Sequence, residues 1–276
     1  LFTARGEDKA LELLCPKCED GERVRYVIVD AHTAGPQSVS LFVQSGLRLK
    51  AKRLQRRLII GNRRMSLASY GPLFHESLIA LLYLEDGKDL HRFQLAYETP
   101  EQRLVGYRYR TKANSYGRIA QQVTADNRER WQRLASSKLP VHTKEHGFVY
   151  DAKIHPAIKI FEVVPGATLT GRAEPGSEVV ASAEVRSPSG RVIPYRVKTE
   201  TGSDGRFELV VAYPTSETSG SRAQSAYRLQ LAGNAGEMTA EVSAEQVRTG
   251  ARIELASEPP SNEPTATIQG VTGDSK

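Results

Sequence analysis

The spacing of apolar residues changes along the chain, and a short apolar run near the start is the first to predict a particular element. Tyr26-Val27-Ile28-Val29 is uninterrupted and apolar, and it ends in the carboxylate of Asp30. Such a run predicts a strand buried on both faces, of the kind found in the middle of an α/β layer. Loops at the carboxyl end of such a strand often hold functional residues. Asp30 and the segment after it are therefore the first candidates for a site.

Up to about residue 157, helical and strand-like patterns alternate. Val39–Leu47 fits either a short helix or a strand, and 138–155 is predicted to be irregular. The predicted helices are 3–14, 70–84 and 118–134, and the predicted strands are 26–30, 90–97 and 104–109.

From Ile158 onward apolar and polar residues alternate, which is typical of strands. Short strands separated by Pro, Gly and Asp turns favour an antiparallel sandwich or barrel. The predicted strands are 159–164, 168–172, 178–185, 192–199, 206–212, 226–231, 238–242 and 251–255.

These patterns predict an α+β fold with two domains and a tail. Residues 1–157 form a mixed α/β layer around a buried strand, and residues 158–256 form an all-β sandwich or barrel. Residues 257–276 are rich in Pro, Ser and Thr, and we expect them to be disordered.

Composition narrows the class without naming a function. The chain has 276 residues, 39% of them hydrophobic and 25% charged, with a net charge of +6. A mildly basic chain is compatible with anionic membranes, phosphates or nucleic acid and requires none of them. No apolar run approaches the roughly 20 residues that cross a bilayer. The sequence has no visible signal peptide and no initiating Met, so we expect a fragment of something longer.

A run of basic residues without an acid lies between positions 48 and 64. It fits either a solvated face or an anion-facing patch for lipid headgroups or a phosphorylated ligand. Nucleic acid is disfavoured because no stacking aromatics interrupt the run. The basic residues are Arg48, Lys50, Lys52, Arg53, Arg56, Arg57, Arg63 and Arg64.

Candidate chemistry is sparse. Cys15 and Cys18 form a CxxC that fits a local disulfide, an inert thiol pair, a metal site or redox chemistry. His142, His146 and His155 lack a carboxylate or Cys at ligand spacing, so surface histidines are favoured over a metal site. No nucleotide-binding, hydrolase or metalloprotease motif occurs.

Several stretches resemble, in order, the C-terminal globular domain of the archaeal oligosaccharyltransferase catalytic subunit, the AglB family. Phe2-Thr3-Ala4 is similar to the segment after the family's WWDYG motif, and residues 26–30 are similar to its central strand. Residues 75–98 resemble its helix–turn–strand unit, and 158–167 resemble the opening of its following β domain. The WWDYG motif and the membrane domain are not part of this sequence.

The resemblance implies a glycosyltransferase on the extracytoplasmic face of the membrane. The family transfers an oligosaccharide from a dolichyl phosphate carrier to Asn of an Asn-X-Ser/Thr sequon and needs Mn or Mg. Its metal ligands lie in the membrane domain, so we expect this chain to bind no metal and to be inactive alone. The implied partners are the acceptor polypeptide, the lipid-linked oligosaccharide and the chain's own N-terminal membrane domain, with no nucleic acid.

The resemblance also implies roles for particular residues. His32 and Thr33, with Asp30, map onto a segment whose side chains join the pocket for the sequon's Ser or Thr. The basic residues Arg53, Arg56, Arg57, Arg63 and Arg64 would face the membrane or the lipid-linked phosphate. The alternative interpretation is a non-catalytic extracytoplasmic module that binds glycan or protein.

Overall fold

The computed structural model describes residues 6–14, 24–31, 55–60, 63–68, 77–110, 115–215, 220–231 and 237–255. These residues are mostly in β-strands, with a few short helices, which is compatible with the predicted α+β class. The helices are α1 (Gly6–Leu14), α2 (Leu78–Leu84), α3 (Arg128–Ser136) and α4 (Ala244–Thr249). The strands of the first half are β1 (Tyr26–Asp30), β2 (Gln55–Ile60), β3 (Arg63–Ala68), β4 (Phe93–Glu98), β5 (Gln102–Arg110), β6 (Ser115–Val123), β7 (Val141–Thr143) and β8 (Gly147–Pro156). The strands of the second half are β9 (Ile158–Val163), β10 (Ala167–Arg172), β11 (Glu178–Arg186), β12 (Val192–Glu200), β13 (Arg206–Val211), β14 (Arg222–Ala223), β15 (Tyr227–Leu231), β16 (Glu237–Ala240) and β17 (Arg252–Glu254).

The first sheet has the order β1-β9-β4, and both pairings are antiparallel. Its inner face packs on α2, where Leu78, Leu82 and Tyr83 are fully buried. Ser77 caps α2 by accepting a hydrogen bond from the amide of Ala80. The sheet therefore has a helix on its inner side and is built from strands distant in sequence.

The expectation that β1 is buried on both faces is wrong. Val27 and Val29 are buried, whereas Tyr26 and Ile28 are exposed. Strand alternation sends the second pair to the opposite face of the sheet. The strand itself is confirmed at Tyr26–Asp30.

A second sheet, of order β6-β5-β8-β7, corrects two predictions. The predicted helix 118–134 is strand β6 up to Val123, and only its end belongs to α3. The predicted irregular stretch 138–155 holds the antiparallel pair β7 and β8. This sheet and α3 enclose their own hydrophobic core, made of Leu104, Ile119, Val123, Trp131, Leu134, Val149 and Ala152.

The strand pattern predicted after residue 158 is confirmed. β10 to β17 form two sheets, with orders β13-β10-β17 and β12-β11-β15-β16, and β14 pairs with β11. Helix α4 was not predicted. It begins at a capping box of Ser243 and Gln246 and ends at Gly250, which has φ of 73°. Helix α4 connects β16 to β17, and β17 pairs with β10 in parallel.

The two sheets formed by β10 to β17 are called the β module below. One hydrophobic core runs through the first sheet and this module. It includes Val29 and Phe161 of the first sheet and Val179, Phe207 and Leu229 of the β module. β9, the first strand after the predicted boundary at residue 157, is the central strand of the first sheet. The boundary itself stays a prediction, and the predicted tail 257–276 lies outside the described residues.

No helix in the described parts of the chain is long and apolar enough to cross a membrane.

Candidate functional site

The structure describes only some of the residues predicted to form a site. Asp30 ends β1, is half-buried and lies opposite Ile158 in the strand register. The next residue, Ala31, donates its amide to the carbonyl of Ala157 at 3.3 Å, which fixes where the chain leaves the sheet. His32 and Thr33 follow directly and lie outside the described residues.

The basic run is described in part. Arg56 and Arg57 belong to β2, and Arg63 and Arg64 belong to β3. The two strands pair antiparallel, with Arg63 opposite Ile60 in the register. This segment is therefore a hairpin; Arg53, like Cys15 and Cys18, lies outside the described residues.

The three histidines considered for a metal site belong to different parts of the second sheet. His142 is in β7, His146 is in the turn between β7 and β8, and His155 is near the end of β8. Within the described ranges, no group of three His, Cys, Asp or Glu residues is placed to hold a metal ion.

Lys159 is the centre of a buried charged cluster that the sequence reasoning did not predict. It lies in β9 on the same face as Phe161, and its side chain is fully buried. Its ammonium donates to Asp86 Oδ1 at 2.5 Å and to the carbonyl of Tyr83 at 2.6 Å. A buried ammonium of this kind needs a counter-charge and acceptors, and the turn after α2 supplies both.

Arg191 extends the cluster toward the β module. It precedes β12, and its guanidinium donates to Asp86 Oδ1 at 2.8 Å and to Glu98 Oε2 at 2.6 Å. Glu98 ends β4, lies opposite Lys159 in the register and has a fully buried side chain. Ser187 and Ser189 of the same turn also donate to Glu98.

The charges in this cluster shift one another's pKa. Burial alone would raise the pKa of Asp86, but the nearby Lys159 and Arg191 outweigh it and lower that pKa to about 2. Burial likewise opposes ionisation of Glu98, yet its hydrogen bonds from Arg191 and the two serines hold its pKa below the ordinary value. Burial lowers the pKa of Lys159, and Asp86 opposes that shift.

His155 lies against the cluster as a neutral imidazole. Its Nδ1 is 3.5 Å from Lys159 Nζ, and its ring centroid is 5.3 Å from that of Tyr83. Burial, followed by repulsion from Lys159, lowers the pKa of His155 to about 3. Its Nε2 is buried and has no hydrogen-bond partner in the described structure.

The cluster holds two cations and two carboxylates, so its formal charges cancel. Asp86 and Glu98 belong to the first sheet and its turn, while Arg191 belongs to the β11–β12 turn. Breaking one partner of such a buried set leaves an uncompensated charge, which is strongly destabilising. The arrangement is suited to fixing the first sheet against the β module rather than to acid–base chemistry.

Side chains also form hydrogen bonds with the edge of β4 that does not pair with β9. The amide of Leu95 donates to the hydroxyl of Tyr213 at 3.0 Å, and the Leu95 carbonyl accepts from Ser221. At the start of the strand, Glu7 of α1 accepts hydrogen bonds from the amides of His91 and Arg92. Tyr213 and Ser221 therefore satisfy the backbone groups of Leu95 that face away from β9, and Glu7 holds the backbone just before β4.

Two signals in the sequence point to the cluster in retrospect. Lys159 interrupts the run Ile158-Lys159-Ile160-Phe161 in phase with the buried Phe161. Asp86 and Asp89 flank Gly87 in sequence, and they adopt φ of 56° and 62° in the turn after α2. A lysine in phase with the core requires a buried carboxylate, but the pattern does not say which one.

Fold and cluster together define a mainly β protein in which a small antiparallel sheet is fixed to a following β module. The stretch of the β module from residue 166 to 253 matches the family described as archaeal glycosylation protein B long peripheral domain. This supports an AglB-family peripheral domain in that part of the chain. No curated protein matches the sequence.

Solved structures of an oligosaccharyltransferase from Archaeoglobus fulgidus share the fold. Its complex with Zn and sulfate is 20% identical over 92% of this chain and 35% of the solved chain, with a TM-score of 0.63. The form tethered to an acceptor peptide with the NVT sequon is 16% identical over 92% of this chain and 33% of its own, with the same TM-score of 0.63. The archaeal AglB complex with an inhibitory peptide and a dolichol-phosphate is 20% identical over 94% of this chain and 33% of its own, with a TM-score of 0.61. The chain thus spans about a third of the length of these proteins, and at such identities the likeness shows the fold.

Proposed function

We propose that this chain is the peripheral part of an oligosaccharyltransferase on the extracytoplasmic face of the membrane. The parent transfers an oligosaccharide from dolichyl phosphate to Asn in Asn-X-Ser/Thr sequons, and this part contributes to acceptor recognition. The observation that carries the proposal is the match of residues 166–253 to the glycosylation protein B peripheral domain. The shared fold over 92% of the chain extends its support to the first sheet.

In this proposal the acceptor contacts the segment that leaves β1. Asp30 ends the strand, and the bond from Ala31 to Ala157 anchors the point of exit. His32 and Thr33 come next and would form one wall of the pocket for the sequon's hydroxyl. Asp30 would support that wall rather than act as a base.

The parent's divalent ion, Mn or Mg, would be held by carboxylates of the membrane domain and not by this chain. The domain division near residue 157 belongs to the same proposal. So do the partners, which are the acceptor polypeptide, the lipid-linked oligosaccharide and the N-terminal membrane domain.

A transfer assay with the complete gene product that contains this chain tests the activity. The reaction holds a dolichyl-phosphate-linked oligosaccharide, Mn²⁺ and a fluorescent peptide with Asn-Val-Thr. Matched peptides with Gln-Val-Thr and Asn-Val-Ala are the controls. We expect glycosylation of the first peptide alone, and failure to modify it contradicts the proposed function.

A second arm of that assay tests the pocket wall. Thr33→Val removes a hydroxyl, and Thr239→Val makes the same change at an exposed position of β16. We expect Thr33→Val to raise KM for the acceptor peptide by about three- to tenfold, as the loss of one hydrogen bond would. An equal KM in both variants contradicts the role of this segment.

Arg53, Arg56, Arg57, Arg63 and Arg64 would face anionic headgroups or the lipid-linked phosphate, each contributing about 1 kcal/mol near an anionic surface. Vesicle binding tests this with two variants of equal net charge. One replaces Arg56, Arg57, Arg63 and Arg64 by Gln, and the control replaces the exposed Arg172, Arg206, Arg228 and Arg252 by Gln. We expect only the first to lose binding to phosphatidylglycerol vesicles, and equal binding by both contradicts the assignment.

The alternative is a non-catalytic extracytoplasmic module that binds glycan or protein. The exposed apolar side chains on the first sheet favour it, because contiguous exposed apolar surface is typical of interaction sites. The transfer assay distinguishes the two functions, since a binding module leaves every peptide unmodified.

A further inference from the structure

The outer face of the first sheet presents large apolar side chains to solvent. The outer face is defined here by the side chains of Tyr26, Ile28, Tyr97, Ile158 and Ile160. Tyr26, Ile28 and Tyr97 are 46%, 65% and 47% exposed, Ile158 is 38% exposed, and Ile160 is half-buried. An antiparallel sheet with one solvated face normally carries polar residues there.

Strand register places these residues side by side. Ile28 lies opposite Ile160, which lies opposite Tyr97, so one row crosses all three strands. Side chains directly opposite each other in such a row are about 5 Å apart and form a continuous surface. A patch of this kind marks a site of interaction.

The next row leads into a cavity. Tyr26 lies opposite Glu162, and Glu162 lies opposite Gln94. Glu162 and Gln94 also line a cavity of about 220 Å³, whose opposite wall comes from the β module and includes Pro214, Ser221 and Val247. The apolar outer face and the cavity are therefore parts of one surface.

Two side chains of the cavity wall, Gln94 and Glu162, keep an acceptor oxygen that is available to a ligand. Ser221 donates its hydroxyl to the Leu95 carbonyl, and its own carbonyl accepts from Gln94 Nε2 at 3.1 Å. Glu162 Oε1 accepts from Arg25 Nε at 3.0 Å. Among the described residues, nothing donates to Gln94 Oε1 or Glu162 Oε2. The pair with Arg25 is exposed, and such pairs are weak and readily exchanged.

We propose that the outer face and this cavity form a docking surface for a separate polypeptide partner. Its contact segment is apolar and carries one lysine or arginine, whose cationic end enters the cavity toward Glu162. The apolar residues supply contact area, and the carboxylate selects the cation and sets the register. This inference goes beyond the proposed function and does not depend on glycan transfer.

Binding of a matched pair of synthetic peptides to the full chain tests the proposal by amide NMR. One peptide has eight residues with isoleucine at alternate positions and a central lysine, and the other has norleucine in place of the lysine. We expect the lysine peptide to shift the amides of Gln94, Ser221 and Val247 and to bind about three- to tenfold more tightly, as one charge-assisted hydrogen bond on a solvent-exposed site allows.

Variants separate the two parts of the surface. Glu162→Gln should abolish the preference for lysine, and Ile28→Thr should weaken both peptides. The control Leu139→Thr changes an exposed aliphatic residue in the loop after α3 and should change neither affinity. Equal binding of both peptides to wild type, no saturable binding, or unchanged binding by Ile28→Thr overturns the proposal.

Sedimentation velocity addresses the competing occupant, a second copy of the chain. We expect a monomer at the concentrations used for NMR. A dimer that Ile28→Thr dissociates would assign the outer face to self-association and overturn the proposal.

Discussion

Arg191 and Glu98 are 93 residues apart in sequence, yet Arg191 Nη2 lies 2.6 Å from Glu98 Oε2. The carboxylate is fully buried at the end of β4, and the guanidinium comes from the turn before β12. The same guanidinium reaches Asp86 in the turn after α2. The Arg191 side chain therefore connects both the end of β4 and the turn after α2 to the β module.

Replacement of Arg191 by Met should destabilise the protein strongly. It leaves Glu98 and Asp86 with one cation between them, so we expect a loss of about 3–5 kcal/mol in the free energy of unfolding. Urea denaturation followed by circular dichroism measures the loss. Arg196→Ala, at an exposed position of β12, is the control and should stay within about 0.5 kcal/mol.

The double variant Arg191→Met with Glu98→Gln sharpens this test. It removes the charge that the single variant leaves uncompensated, so we expect it to recover part of the lost stability. A single variant as stable as the control would contradict the role of the pair.

The pH dependence of stability should depend on His155. Its pKa is about 3 in the folded protein, against an ordinary value of 6.5. Below pH 6.5 the unfolded chain takes up a proton that the folded protein does not, so stability falls as pH falls toward 3. His155→Phe removes this effect, and at pH 4.5 the variant should be more stable than wild type by about 2–3 kcal/mol relative to their difference at pH 8.

Thermal or urea unfolding at several pH values checks this prediction. Leu139→Thr, an exposed substitution that changes no titratable group, is the control and should keep the wild-type pH profile. Parallel profiles for wild type and His155→Phe would contradict the prediction, because they would show that folding does not lower the pKa of His155.

Two glycines with the same backbone conformation should respond differently to alanine. Gly166 and Gly176 have φ of 74° and 73°. A Cβ at Gly166 would lie 2.4 Å from Val210 Cγ1 and 3.1 Å from the Val211 carbonyl oxygen, whereas at Gly176 nothing lies within 4 Å. Both variants bear the left-handed strain of roughly 1–2 kcal/mol, and Gly166→Ala should lose about 1–3 kcal/mol more through overpacking.

The comparison uses the free energy of unfolding of the two variants measured side by side. Equal losses would mean that β13 moves to accommodate the new methyl group. A larger loss for Gly176→Ala would contradict the local geometry at both turns.

How far the fold follows from the sequence depends on whether neighbours in the chain determine each element. The strands after Ile158 follow from alternation and turn residues, which are local signals, and they are confirmed. The helix predicted over 118–134 failed because Ile119 and Val123 are four residues apart, which fits one face of a helix and also one face of a strand. Pairing with β5, which is a contact between separate segments, decides the outcome.

The opening strand illustrates the same limit for the candidate site. Its run from Tyr26 to Val29 is apolar on both faces, and the pattern equates that with burial on both faces. The structure buries one face and exposes the other, so the apolar outer face is a surface property that periodicity cannot reveal. The cluster around Lys159 shows the same limit: the lysine in phase with the core is visible in the sequence, but its partners Asp86 and Arg191 come from turns distant in sequence.

Removal of the Tyr213 hydroxyl should loosen the free side of β4. The amide of Leu95 donates to this hydroxyl at 3.0 Å, and the described residues offer that fully buried amide no other acceptor. Tyr213→Phe keeps the ring and leaves a buried donor unsatisfied, so we expect a loss of about 1–3 kcal/mol. Tyr97→Phe, on the exposed outer face, is the matched control and should stay within about 0.5 kcal/mol.

Hydrogen exchange of the Leu95 amide provides a local readout, which should become faster in Tyr213→Phe and stay unchanged in Tyr97→Phe. Unchanged exchange in both variants would show that the amide is protected by strand packing and not by the tyrosine.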